Sequence, residues 1–150
     1  MLKGRNNTIS VTPNELNSKV GVPLFDIDAT CGKEMRSFED ETVVGHIDSP
    51  EIRKDSVIIK ATGDSMTPVI ISGDRIAVRE IKSWDYIAFG QIYLIITSEY
   101  RLLKYIRKSD NPDFIILRSE NSGYDDIEMP KKDIVKLFIV ENILSIKNCI

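Results

Sequence analysis

Ser65 lies in Gly63-Asp64-Ser65-Met66-Thr67-Pro68, directly after the β-branched run Val57-Ile58-Ile59-Lys60-Ala61. A serine between a strand and a turn is exposed, and backbone N–H groups at the start of the turn can face a developing oxyanion. The same hydroxyl can equally cap the turn. As a nucleophile it needs a base. His46 is the sole imidazole, so a Ser-His-Asp arrangement would have to run through it; a carboxylate or a lysine is the alternative. Lys104 is distinguished by strand parity. In Arg101–Arg107, positions 102, 104 and 106 share a face and read Leu, Lys, Ile. Desolvation on such a face disfavours the ammonium, and a neutral lysine can take a serine proton. A lysine that snorkels from an edge strand fits the same pattern.

The elements that must hold these two residues are short strands. Candidates are Val57–Ala61, Arg75–Ile81, Gln91–Thr97, Arg101–Arg107, Asp113–Leu117 and Ile134–Val140, with a further short strand around Thr42–Ile47. Turn signals separate them at Ser72-Gly73-Asp74, Phe89-Gly90, Ser98-Glu99, Ser109-Asp110-Asn111-Pro112 and Asn121-Ser122-Gly123. Val69–Ile71 is expected to form a helical turn. Strands this close together, without long helices between them, predict a mainly β, mostly antiparallel fold. Val22–Ile27 is an apolar stretch, followed by a loop from Asp28 to Glu34. Upstream, Thr12-Pro13-Asn14-Glu15 reads as a capping box with Pro at the first helical position, and Gly21 as the residue closing a helix of about two turns. Such a helix is too short to stand alone. Residues 1–22 are therefore expected to be an arm or linker, and 23–150 one domain.

Composition narrows the field. The chain has 150 residues, of which 42% are hydrophobic, enough for one ordinary core. Its 20 basic and 23 acidic residues give a net charge of −3, so these residues lack the basic surplus of a free-standing DNA binder. The longest apolar run, Ile92–Ile96, is five residues, far short of a membrane span. No leader pattern opens the sequence, and a cytoplasmic location is expected. Two cysteines, Cys31 and Cys149, make no disulfide framework. No metal site and no cofactor are expected. His46 reads as a surface histidine, Trp84 as a core or cover residue, Lys131-Lys132 as a solvated turn, and Asp74 as a turn residue ahead of the Arg75 strand.

Taken together, Gly63-Asp64-Ser65-Met66-Thr67-Pro68, with Gly73-Asp74 and a strand after it, resembles the nucleophile motif of the LexA/UmuD-type serine peptidases. Leu103-Lys104-Tyr105-Ile106 resembles that family's lysine strand, and it lies 39 residues beyond Ser65. Family members cut themselves at an Ala-Gly or Cys-Gly bond upstream of the serine; here Cys31-Gly32 precedes Ser65 by 34 residues. The resemblance covers roughly residues 22 to 146. It implies a compact, strongly bent antiparallel β fold with one short helical turn after the nucleophile. It also implies a Ser-Lys dyad: Ser65 attacks the Cys31–Gly32 carbonyl, Lys104 accepts the Ser65 proton, and the N–H groups of Asp64 and Ser65 form the oxyanion hole. Asp64 departs from members that carry an apolar residue before the serine.

By this resemblance the chain is expected to be the self-cleaving regulatory domain of a LexA-like repressor or a UmuD-like DNA-damage response protein. It would form a homodimer, with the C-terminal strand contributing, and would answer to an activated recombinase filament. Any contact with DNA would run through a domain absent from this chain, and none with a membrane is expected. Two alternatives stand beside it. One is the same fold, catalytically idle, as the dimerisation domain of a phage-type or XRE-like repressor. The other is a signal-peptidase-like enzyme, which shares a Ser-Met-x-Pro motif and a lysine base, and against which the missing membrane anchor argues.

Overall fold

A computed structural model of the chain describes residues 20–28 and 42–145. The expected N-terminal helix, Cys31, Gly32 and Cys149 lie outside the described residues. Among the described residues nine strands form one mixed sheet: β1 (Val22–Asp28), β2 (Val43–Ile47), β3 (Val57–Lys60), β4 (Arg75–Glu80), β5 (Ile92–Thr97), β6 (Arg101–Lys108), β7 (Phe114–Arg118), β8 (Ile127–Pro130) and β9 (Ile134–Leu144). Their order across the sheet is β2-β1-β3-β4-β9-β5-β6-β7-β8. All neighbours are antiparallel except β1 and β3, which run side by side in the same direction. The fold is thus mainly β, as the close spacing of β-branched runs requires.

Alternation along each strand sorts the apolar residues onto two faces. One face collects Phe25, Ile59, Ile76, Val78, Leu94, Leu103 and Phe138 into a single cluster drawn from both halves of the sheet. Behind the second half, Tyr93, Ile95, Ile106, Ile115, Leu117 and Leu137 form another cluster. Behind the first half, Val22, Ile52, Ile58 and Ala77 form a third. Strand β5 is buried on both faces, so its sequence runs Ile-Tyr-Leu-Ile-Ile without polar alternation.

Strand β9 joins the halves. It pairs with β5 through residues 134–139 and with β4 through residues 138–144. Both sides are therefore filled around Phe138 and Ile139, and one side at each end. The register slips by one residue between Ala77 and Val78, leaving Glu141 as the extra residue on β9. Its carboxylate accepts from the Arg79 guanidinium at 2.6 Å. β9 runs four residues past the Val140 end expected from sequence, because Asn142–Leu144 continue the ladder on β4.

Two other elements differ from expectation. Strand β8 has the sequence Ile-Glu-Met-Pro and mostly exposed or half-buried residues; it forms because the β7–β8 hairpin offers Phe114–Leu117 as a template. The Val22–Ile27 stretch is a strand, paired with β2 on one side and β3 on the other. Gly21, ahead of it, has φ +96°, and a Cβ there would sit 2.7 Å from the Ile47 backbone. That close approach explains the glycine without reference to a preceding helix.

Candidate active site

The nucleophile segment is the connection between β3 and β4. It is closed at its base by two backbone hydrogen bonds: the Gly73 N–H donates to the Ala61 carbonyl and the Ala61 N–H to the Asp74 carbonyl, both at 2.8 Å. Gly63, at φ +86°, turns the chain out of β3 in a conformation L-residues rarely adopt. A single helical turn follows, with the Thr67 N–H on the Asp64 carbonyl (3.1 Å) and the Ile70 N–H on the Met66 carbonyl (2.9 Å). This turn begins several residues before Val69–Ile71, where sequence placed it. Its position is set by Met66 and Ile70, four residues apart and both buried in the main core cluster. The Thr67–Pro68 peptide is cis. Asp74 ends the loop: its carboxylate accepts from the Ile71 N–H and the Ser145 hydroxyl, each at 2.9 Å, the turn duty expected of it.

Lys104 comes from β6, opposite Tyr93 of β5, and is 6% exposed. Leu102 and Ile106, which share its parity, both belong to the second apolar cluster. Its ammonium nitrogen lies 2.7 Å from Ser65 Oγ. The two residues are 39 positions apart in sequence and come from opposite sides of β9 in the sheet order. Ser65 therefore meets Lys104 with its hydroxyl, in place of the capping bond that a serine in this position could have made. Lys104 is neither snorkelling nor on an edge, since β6 is paired on both sides. Burial pushes its pKa below the ordinary lysine value, and the nearby Asp64 carboxylate draws it partly back up.

The loop between β7 and β8 clamps the nucleophile turn, and sequence reading assigned it only a turn. The Asn121 N–H donates to the Ser65 carbonyl at 2.9 Å, and Asn121 Nδ2 to the Asp64 carbonyl at 3.3 Å. The Tyr124 hydroxyl donates to Asp64 Oδ1, and the Tyr124 ring centroid is 5.4 Å from Lys104 Nζ. Because a trans peptide is planar, its C=O and N–H point in opposite directions. Two donors on the Asp64 carbonyl, Thr67 N–H and Asn121 Nδ2, thus fix where the Ser65 N–H points. Among the described residues, neither the Asp64 N–H nor the Ser65 N–H is taken by an acceptor. The Asn-Ser-Gly signal at 121–123 marked a turn, but nothing in the sequence linked it to Ser65.

The remaining residues singled out from sequence stand apart. His46 is exposed on β2, opposite Pro23. Trp84 packs at the margin of the second cluster beneath the Lys131 ammonium, 5.2 Å from its ring centroid. Among the described residues no group of His, Cys, Asp or Glu is arranged to hold a metal, and no helix is long and apolar enough to cross a membrane.

A serine hydroxyl bonded to a buried lysine, on a turn with a fixed N–H direction, places a nucleophile and a base side by side. The sequence matches the family described as Peptidase S24-like over residues 17–139. The chain belongs to that family, a serine peptidase family that includes the LexA/UmuD type. No match was found among curated proteins.

Proposed function

We propose that this chain is a self-cleaving regulatory domain that cuts its own Cys31–Gly32 bond. The observation that carries the reading is the 2.7 Å contact between Ser65 Oγ and Lys104 Nζ. Lys104, once neutral, takes the Ser65 proton as Oγ attacks the Cys31 carbonyl carbon. The negative charge that develops on the carbonyl oxygen falls to the N–H groups of Asp64 and Ser65. Lys104 then returns its proton to the departing Gly32 amine, the Cys31–Gly32 bond breaks, and water releases the acyl group from Ser65.

The sheet supports a substrate in the same chain. β1 runs parallel to β3, with Asp28 opposite Lys60. β3 leads into Ser65, and β1 leads toward Cys31 in the same direction. From Asp28 to Cys31 is three residues, about 10 Å of extended chain. Gly32 suits a bond that must bend into a cleft, since it brings no Cβ.

The regulatory setting follows the family: a homodimer through this domain, a trigger such as an activated recombinase filament, contact with DNA only through a separate domain, and a cytoplasmic location. The test is incubation of pure protein at alkaline pH. Cleavage should give fragments of 31 and 119 residues out of 150, identified by mass, and Ser65→Ala should abolish it. Gly32→Val should slow it strongly through β-branched crowding. A cut at another bond, or cleavage that survives in Ser65→Ala, overturns the reading. An intact chain under all conditions leaves the domain as a dimerisation module of the same fold.

A further inference from the structure

We propose that the Asp64 carboxylate, held in place by Tyr124, is a brake on the dyad that keeps Lys104 in its ammonium form. The inference rests on the Ser-Lys reading of the site and adds a positioning residue to it. Asp64 directly precedes the nucleophile, so its main-chain N–H and its side chain can have separate roles. The N–H belongs to the proposed oxyanion hole. The carboxylate takes the Tyr124 hydroxyl, and the same tyrosine presents its ring to the Lys104 ammonium, 5.4 Å from the centroid.

An anion and the negative face of an aromatic ring both favour a cation beside them. Together they oppose the desolvation that would neutralise Lys104, and the direction of Asp64's effect on Lys104 agrees. The other polar groups around Lys104 are committed elsewhere. Tyr93, opposite it on β5, has its hydroxyl on the Ala88 backbone at 2.9 and 3.1 Å. Tyr105 on β6 has Glu120 of the β7–β8 loop beside it. Arg118, at the end of β7, is bonded to Asp126 at 2.7 Å. Ser65 itself is neutral. Asp64 is thus the carboxylate that bears on the dyad, and Tyr124 is exposed enough, at 47%, for a peptide entering the site to meet it.

The Lys104 titration is followed by the NMR signal of its side-chain Cε, identified by its loss in Lys104→Met. Titrations use a Ser65→Ala background so that the chain stays whole. Asp64→Asn keeps the main-chain N–H and an acceptor for Tyr124 and removes only the charge; Asp64→Ser is the second choice if that variant misfolds. Asp126→Asn, an equal charge change on a carboxylate bound to Arg118, is the control. Expected is a lower Lys104 midpoint in the Asp64 variant and an unmoved one in the control. In chains that retain Ser65, cleavage below the midpoint should then be about three- to tenfold faster. An unmoved midpoint in the Asp64 variant, or an equal fall in the control, overturns the brake. A fall specific to Asp64 in a chain that never cleaves keeps the brake and overturns the peptidase reading instead.

Discussion

The proposed chemistry turns on the protonation of one lysine. Lys104 is buried, and burial lowers its pKa from the ordinary value of 10.5. Below the folded value, both folded and unfolded chains hold the proton, and the fold carries the full desolvation cost. Between the two values the unfolded chain binds the extra proton, so stability rises with pH, and above the ordinary value the cost is gone. Lys104→Met replaces the amine with an apolar chain of similar length. It should raise the urea midpoint near neutral pH, with the gain shrinking to nothing as pH approaches 10.5. The same variant should lose the alkaline acceleration of cleavage. A parent whose cleavage rate is flat from neutral to alkaline pH would exclude Lys104 as the base. Asn121 acts at one remove, through the carbonyl whose direction fixes the Ser65 N–H. Asn121→Ala removes one hydrogen bond, worth about 0.5–1.5 kcal/mol, and should slow cleavage by roughly two- to tenfold with the alkaline midpoint unmoved. A shifted midpoint would assign Asn121 to Lys104 instead.

At the level of elements, the β1–β2 pair, which leads toward the proposed cleavage segment, depends on Gly21. A methyl group there would have to displace the Ile47 backbone from 2.7 Å while the residue sits at φ +96°. Gly21→Ala should cost roughly 1–3 kcal/mol, read by urea denaturation, and should loosen amide protection in β1 and β2 before β5. Equal loss across the sheet would mean the pair is not a separate unit. How much of this was legible in the sequence follows from where the information resides. Strands β3 to β7 and β9 were visible because their apolar residues are local runs bounded by Gly, Asn, Asp and Pro. β8 was not, because its order comes from pairing with β7 rather than from its own residues. The pairing of Ser65 with Lys104 was legible from motif and parity, and their side chains do meet. Asn121 and Tyr124 were not legible, since a bond from Asn121 to a carbonyl 57 positions away leaves no pattern in either segment.

For the molecule as a whole, β9 limits where the proposed homodimer could form. Its middle is paired on both sides, so a partner cannot add a strand there. The Asn142–Leu144 end pairs with β4 alone, and Ile143 there is 39% exposed. A dimer through this end would combine a short open edge with side-chain contacts. Light scattering at tens of micromolar should give twice the chain mass of 17.0 kDa, and Ile143→Asp should return it to the monomer. A monomer throughout would leave the domain without its expected partner.

On the proposed reading, the parallel placement of β1 beside β3 also decides what kind of catalyst this would be. A bond delivered from the neighbouring strand would meet the serine at an effective molarity far above any free peptide. It would also be destroyed in the act, so each molecule would turn over once and have no Michaelis constant for its own bond. Such a protein behaves as a fuse, and its response is counted in molecules lost rather than product formed. The half-life should be the same across a hundredfold dilution, and a large excess of a free peptide spanning Cys31–Gly32 should barely lengthen it. A half-life that grows with dilution would mean that one chain cuts another.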